Sequence, residues 1–414
     1  MGTESTHWRT CRQGHYHFGY THLGNYVGSI RPAVQASLRP GVESYYILAD
    51  YHPLIKIDEP GRIQRSTLEI AASWLAAGLD PQRVVFYRQS DVPEITELTW
   101  FLTCVTGKGI LNRAHAYKAS VDKNTAVGTD PDSDVSAGLF MYPVLMDADI
   151  LMFNAHHVPV GRDQVQHIEM ARDMAHSFNH RYGEHFVTPL AAIEESLATL
   201  LGLDGRKMSK SYDNTIPLFA SSAQLQKLIA TIKTDSRAPG EPKDTEGSAL
   251  FQIYQAFASP EETAAFAHEF AQGISWAAAK EKLYARIDQE IAPMRARYQH
   301  LMEHPQEVEA MLLQGAIKAR AVATPFMARL RQAVGLRGLA AQSTGFANPK
   351  ETTQVMAQLK AGGLAQYRPA RPLSPALPML QRWTKRWKVC VRRRPNWRCA
   401  PPRQAACKPN TCCY

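Results

Sequence analysis

Gly205-Arg206-Lys207-Met208-Ser209-Lys210-Ser211 is the stretch from which the fold can be read. It sets an arginine, two lysines and two serines beside a glycine, with one apolar residue, Met208, among them. Such a run predicts a mobile cationic loop that closes over several negative charges. Ammonium groups and hydroxyls are strong donors, and they gain most where phosphate charge develops. Lysine-rich loops are also common on ordinary solvated surfaces, so the loop needs a second anion-binding element elsewhere in the chain.

That element lies far upstream, in His22-Leu23-Gly24-Asn25. The apolar spacing that follows predicts a helix beginning here. Gly24 lets a ligand approach the backbone with no side chain in the way, and His22 and Asn25 offer donors to phosphate oxygens. A helix N-terminus adds unpaired N–H groups and a positive dipole end, which suit anions. Together the two stretches resemble the HIGH and KMSKS signatures of class I aminoacyl-tRNA synthetases.

Segments of strand and helix character alternate around them. A helix is predicted over 24–38, a buried strand over 43–49 ending in Asp50-Tyr51-His52, a helix over 62–77, a strand over 83–87 and a helix over 92–105. Residues 136–153 are apolar on several sides, 157–160 reads as a short strand and 161–179 is amphipathic. This alternation implies an α/β fold, a doubly wound parallel sheet of Rossmann type. Beyond Ile216-Pro217-Leu218-Phe219 the pattern turns almost wholly helical, over 223–232, 249–256, 260–272, 276–313 and 315–334, which predicts an all-α domain. The expected division is a catalytic domain over 1–217, a helical domain over 218–336, a small C-terminal unit over 337–365 and a basic, disordered tail over 366–414. Residues 1–20 show no convincing strand, although a nucleotide-binding domain should open on one.

At 414 residues, 45% hydrophobic and 21% charged, the composition is that of a soluble chain with two or three cores. It has no apolar run of about 18 residues to span a membrane and no apolar leader at its start, so a cytoplasmic location is expected. The net charge of +9 belongs to the tail: twelve Lys and Arg and no acid fall within 366–414, leaving 1–365 at −3. Five of the seven cysteines sit there too, without the paired spacing of a zinc site, so no protein-bound metal is assigned.

A third block narrows the substrate. Tyr142-Pro143-Val144-Leu145-Met146-Asp147-Ala148-Asp149-Ile150-Leu151 and Val158-Pro159-Val160-Gly161-Arg162-Asp163-Gln164-Val165-Gln166-His167 resemble segments of bacterial tryptophanyl-tRNA synthetases. An indole needs a flat apolar slot and one acceptor for its N–H, which only donates. Met146, Ile150, Val158 and Val160 suit the slot, and Met146 and Ile150 share a helix face with Asp149 one step away. A buried carboxylate left unpaired by phenylalanine rejects it by ~10⁴–10⁵. Taken singly, each of these residues is ordinary core.

The resemblance implies tryptophan–tRNA ligase activity: ATP and L-tryptophan give tryptophanyl-adenylate and pyrophosphate, and tRNA(Trp) then takes the aminoacyl group. It implies catalytic roles for Lys207, Lys210, Ser209, Ser211 and His22. It puts His22, Gly24, Asn25, Gly161, Asp163 and Met208 at ATP, and Asp149, Tyr142, Gln164 and His52 at tryptophan. Mg²⁺, a homodimer and anticodon recognition by the helical domain, through a basic stripe of Lys318, Arg320, Arg329 and Arg331, follow from the same likeness. Asp147 stands where the family has alanine; it is expected to point elsewhere and receives no role. His15, Tyr16 and His17 depart from the small residues expected around Gly14 and Gly19, as if the reading frame were altered at both ends. A tyrosine-type enzyme of the same class, and a synthetase-derived RNA-binding protein with impaired catalysis, are the alternatives.

Overall fold

The chain divides into two units, Met1–Arg337 and Gly338–Tyr414. The structure, a computed structural model, describes residues 8–14, 21–193 and 200–336, with backbone alone for 8–14 and 163. Gly19, the residues at 15–17, the expected unit at 337–365 and the tail at 366–414 lie outside the described residues.

Among the described residues five parallel strands make one sheet: β1 (Trp8–Gly14), β2 (Val42–Leu48), β3 (Val85–Arg88), β4 (His157–Val160) and β5 (Leu190–Ile193), in the order β3-β2-β1-β4-β5. The expectation of no strand before residue 20 is therefore corrected. β1 lies at the centre of the sheet, in register with β2 from Trp8↔Val42 to Gly14↔Leu48 and meeting β4 at Thr10↔His157. Its polar sequence hides it, because backbone ladders on both sides hold a central strand whatever its intrinsic preference. β5 also escapes the sequence reading: it is four residues long, and Leu190 and Ile193 are exposed.

Between the strands run α1 (Leu23–Asn25), which passes through a π segment (Tyr26–Ile30) into α2 (Arg31–Ser37), then α3 (Pro60–Ala76), α4 (Glu94–Val105), α5 (Lys108–Leu111), α6 (His115–Ala126), α7 (Ala137–Leu151) and α8 (Val165–Tyr182). After β5 come α9 (Ser222–Ala230), α10 (Ala249–Phe257), α11 (Pro260–Ala271), α12 (Trp276–Glu303) and α13 (Pro305–Ala333). The sheet has a core on each face. Tyr46, Leu48 and Phe86 join the cluster shared with α3, α10 and α12, whereas Tyr45, Ile47, Val85 and Tyr87 join that of α4, α7 and α8. Alternate residues of a strand point to opposite faces, so both sides of β2 and β3 must be apolar.

The expected helix break near residue 314 is misplaced. α12 ends at Glu303 and α13 starts at Pro305, with His304 between them at φ −122°, ψ 61°. A residue before proline is pushed out of the helical region, and proline fits the first helical position, so the break is local chemistry. Gly315 instead sits mid-helix for contact. α13 runs along edge strand β3, with Val308 and Leu312 in one core and Ala316 to Leu330 in the other. At the crossing, a Cβ on Gly315 would lie 1.7 Å from the Phe86 carbonyl oxygen. Gly315→Ala is therefore expected to destabilise the protein by about 1–3 kcal/mol through forced separation of helix and strand, despite alanine's better helix propensity. Urea unfolding of the two proteins measures it.

Candidate active site

The cationic loop is an anchored hairpin. Met208 N–H donates to the Leu200 carbonyl (2.8 Å) and Gly202 N–H to that of Arg206 (2.7 Å), with Gly205 at φ 82° making the turn. Met208 is buried and Lys207 exposed, while Lys210 opens a 3₁₀ turn over Lys210–Tyr212. The Ser209 and Ser211 hydroxyls lie 2.8 Å apart. Lys210 is half-buried, and desolvation brings its pKa down to about 8 against the opposing charge of Glu69.

The hairpin sits against the start of the first helix. Gly24 N–H points at the Met208 sulfur, 3.4 Å away and 184 residues along the chain. Two backbone bonds tie the flanks together, Leu23 N–H to the Ile216 carbonyl (2.9 Å) and Leu218 N–H to that of Thr21 (2.8 Å). His22 caps the helix: its Nδ1 accepts from Asn25 N–H (3.3 Å), and Asn25 Oδ1 accepts from His22 N–H (3.2 Å). That reciprocal cap satisfies two end donors and puts the proton of a neutral His22 ring on Nε2. A Cβ on Gly24 would stand 3.1 Å from the His22 ring, so glycine is what lets the imidazole fold over the turn.

The second group is drawn from the segments that follow β2, β3 and β4 and from α7 and α8. Gly161 follows β4, and the turn Arg162–Gln164 leads into α8. The side chain of Asp163 is not described. Asp149 is fully buried on α7; Gln89 Nε2 donates to its Oδ2 at 2.8 Å, and His52 Nε2 lies 4.0 Å from the same oxygen. Tyr142 lies between the two histidines, edge-on to His52 with ring centroids 6.2 Å apart and with its hydroxyl 3.3 Å from His167 Nε2. Burial raises the Tyr142 pKa, and the charge of Asp147 adds to it. Ile150, Val158 and Val160 are members of the core behind these groups, and Met146 is buried. A carboxylate, an amide, two imidazoles and a phenol thus converge in apolar surroundings.

Residues 19–291 match the family model described as tRNA synthetases class I (W and Y). The chain is 68% identical over 328 residues to the tryptophan–tRNA ligase of Xanthomonas campestris, covering 79% of this chain and 76% of that one. It is 64% identical over 324 residues to that of Pseudomonas aeruginosa, covering 78% and 72%. The crystal structure of tryptophanyl-tRNA synthetase from Campylobacter jejuni, complexed with ADP and tryptophan, superposes with a TM-score of 0.72 at 38% identity, covering 79% of this chain and all of that one. The chain belongs to the class I tryptophanyl-tRNA synthetases.

As a tryptophanyl-tRNA synthetase it is an ATP-dependent ligase for tryptophan and tRNA. Two residues that hold its site together went unassigned in the sequence. Asn214, almost fully buried, accepts from Ser209 N–H (2.8 Å) and donates to the Lys207 carbonyl (3.1 Å), so it fixes both sides of Met208. Its side chain also presses on Gly202, where a Cβ would come within 2.5 Å of it. Gln89, likewise fully buried, orients Asp149. The signal for Asn214 was its place just after the lysine loop; for Gln89 there was none, since a polar residue after a short strand reads as loop.

The basic stripe of the synthetase is corrected in part. Lys318 Nζ donates to the carbonyls of Pro81 (2.7 Å) and Gln82 (3.1 Å), Arg320 pairs with Glu94 (3.1 Å), and Arg331 pairs with Glu97. Three of the four cations therefore tie α13 to the α/β core, and Arg329 lies over the Phe326 ring at 5.1 Å. Asp147, which received no role, is fully buried, and neither carboxylate oxygen has a hydrogen-bond partner among the described residues. Burial pushes its pKa well up, and the charge of Asp149 adds to the shift. Asp147→Ala should therefore stabilise the synthetase by about 1–3 kcal/mol, the usual penalty for an unsatisfied buried polar group. With its pKa raised on folding, the folded state keeps a proton that the unfolded chain loses above its ordinary carboxylate range, so this site costs more stability as pH rises. Thermal melts at acid and alkaline pH should show the variant's advantage growing toward alkaline pH.

Among the described residues no helix is long and apolar enough to cross a membrane.

Proposed function

We propose that the ligase reaction runs in the crevice between the lysine hairpin and the buried carboxylate, with the tryptophan carboxylate attacking the α-phosphorus of ATP in line. Little covalent work falls to the protein, which must position the reactants and neutralise charge. Lys207 and Lys210, with Ser209 and Ser211, take the leaving pyrophosphate, and Met208 anchors their hairpin on Gly24. His22 Nε2–H, Gly24 and Asn25 meet the other side of the phosphates, with Gly161 and Asp163 at the ribose and adenine. The contact of Met208 with Gly24 carries this reading, because it joins two anion-binding elements that chain distance alone would separate.

Asp149 accepts the indole N–H, held by Gln89, while Met146, Ile150, Val158 and Val160 flank the ring. Gln164 and Tyr142 hold the ammonium group, with His52 beside it. The hairpin's own donors are ammonium groups and hydroxyls, which suit phosphate better than an all-protein metal cage. Mg²⁺ accordingly arrives on the ATP phosphates, the common mode for this ion. The doubly wound reading of the sheet and the division into a catalytic domain over 1–217 and a helical, anticodon-recognising domain over 218–336 belong to the same proposal, as do a homodimer and a cytoplasmic location. Amino-acid-dependent ATP–pyrophosphate exchange tests it: exchange is expected with tryptophan and not with tyrosine, and exchange with tyrosine alone would overturn it.

A further inference from the structure

The break between α12 and α13 gathers three groups that the ligase reaction does not use. His300 lies in the last turn of α12, His304 is the linking residue and Glu307 is in the first turn of α13. One ligand atom from each lies within 4.8 Å of the other two. His300 Nε2 is 3.2 Å from Glu307 Oε2, and the two imidazoles stack with centroids 4.3 Å apart and planes 26° from parallel. We propose that this trio is a binding site for a borderline divalent transition metal of the Zn²⁺ class.

Three observations carry it. Ligands about 2.0–2.1 Å from a tetrahedral metal stand about 3.3 Å from one another; the His300–Glu307 edge already has that length, and closing the trio on the half-buried His304 needs shifts of about an ångström in the exposed His300 and Glu307 side chains. His304 Nδ1 donates to the His300 carbonyl oxygen at 2.8 Å. That bond fixes the ring and leaves Nε2 as its lone-pair atom, the outer-shell arrangement typical of metal-bound histidine. Finally, two imidazoles and one carboxylate are the donor set that zinc accepts with a coordination position left for water. Hard cations such as Mg²⁺ and Ca²⁺ prefer all-oxygen sites, so the donors exclude them by preference.

The helix break makes the arrangement. Were α12 continuous through residue 307, His300, His304 and Glu307 would follow one stripe at helical spacing. Pro305 turns the chain at His304, so the ion would bridge the end of one helix and the start of the next. It would therefore act as a clip on the corner from which α13 sets out along the α/β core. Bound metal would take the place of the His300–Glu307 contact, both groups turning their ligand atoms to the ion.

The full chain, stripped with a chelator and with its thiols alkylated, is titrated with Zn²⁺ in competition with a chromophoric indicator, and with Co²⁺ as a spectroscopic probe. Alkylation matters because the chain has seven cysteines. One thiol-independent equivalent is expected, with nitrogen–oxygen Co²⁺ bands and no sulfur charge transfer, and a higher melting temperature when loaded. His300→Gln and Glu307→Gln, both exposed and outside the catalytic machinery, should each weaken binding at least tenfold. Their metal-free melting temperatures and tryptophan-dependent exchange should match the parent, which separates failure of this site from failure of the ligase reading. Binding that vanishes on alkylation, survives both substitutions or appears only at millimolar metal overturns the proposal.

Discussion

Replacing Lys210 with alanine is expected to lower tryptophan-dependent ATP–pyrophosphate exchange by about 10²–10³-fold, the usual cost of removing one preorganised donor to developing charge. Tryptophan binding, measured at equilibrium without ATP, should barely change, because Lys210 belongs to the hairpin and Asp149 to α7. Equal losses in both would remove the hairpin from the phosphate-transfer step. The lysine's surroundings add a pH signature. Desolvation brings its pKa to about 8, so in the free enzyme its positive charge fades as pH rises through that value. kcat/KM for ATP, which reports the free enzyme, should fall above pH 8. kcat should hold to higher pH, since bound phosphates favour the charged lysine. In Lys210→Ala the alkaline fall should disappear.

The second large effect is on amino-acid choice. Asp149→Ala removes a fully buried carboxylate, its bond from Gln89 and its nearness to His52. On the proposed role of Asp149, tryptophan should lose its N–H acceptor, while phenylalanine should no longer leave an acceptor unpaired. Discrimination against phenylalanine resting on a buried polar partner can reach ~10⁴–10⁵, and most of it should vanish, chiefly through a lower kcat/KM for tryptophan. The KM for ATP should stay within a few-fold. An unchanged ratio of tryptophan to phenylalanine activation would move the specificity device elsewhere. The Gln89 contact predicts where a milder version lies, because an acceptor that is free to rotate selects less sharply.

Much of this architecture is legible without coordinates, and the reason is periodicity. β2, β3 and β4 announce themselves as short apolar runs, and α3, α4, α7 and α8 as longer helical ones, since burial on a sheet face or helix stripe repeats at a fixed spacing. The pairing of Lys207-Met208-Ser209-Lys210-Ser211 with His22-Leu23-Gly24-Asn25, and the block around Asp149, indicated chemistry because residue types suited to phosphate and to indole recur in set order. Tertiary contact alone decided the rest. β1 is a strand because β2 and β4 bond to its backbone from both sides, which no side-chain pattern reports. Gly315 looks like a helix stop and is a crossing point, for the Phe86 carbonyl comes from a strand far away in the chain. Lys318, Arg320 and Arg331 look like an open basic stripe, yet they are tied to Pro81, Glu94 and Glu97. Asp147 received no role from the sequence, and only the fold shows it buried with neither carboxylate oxygen hydrogen-bonded among the described residues. Local sequence states what a residue prefers; the neighbours that meet or deny that preference are brought only by the folded chain.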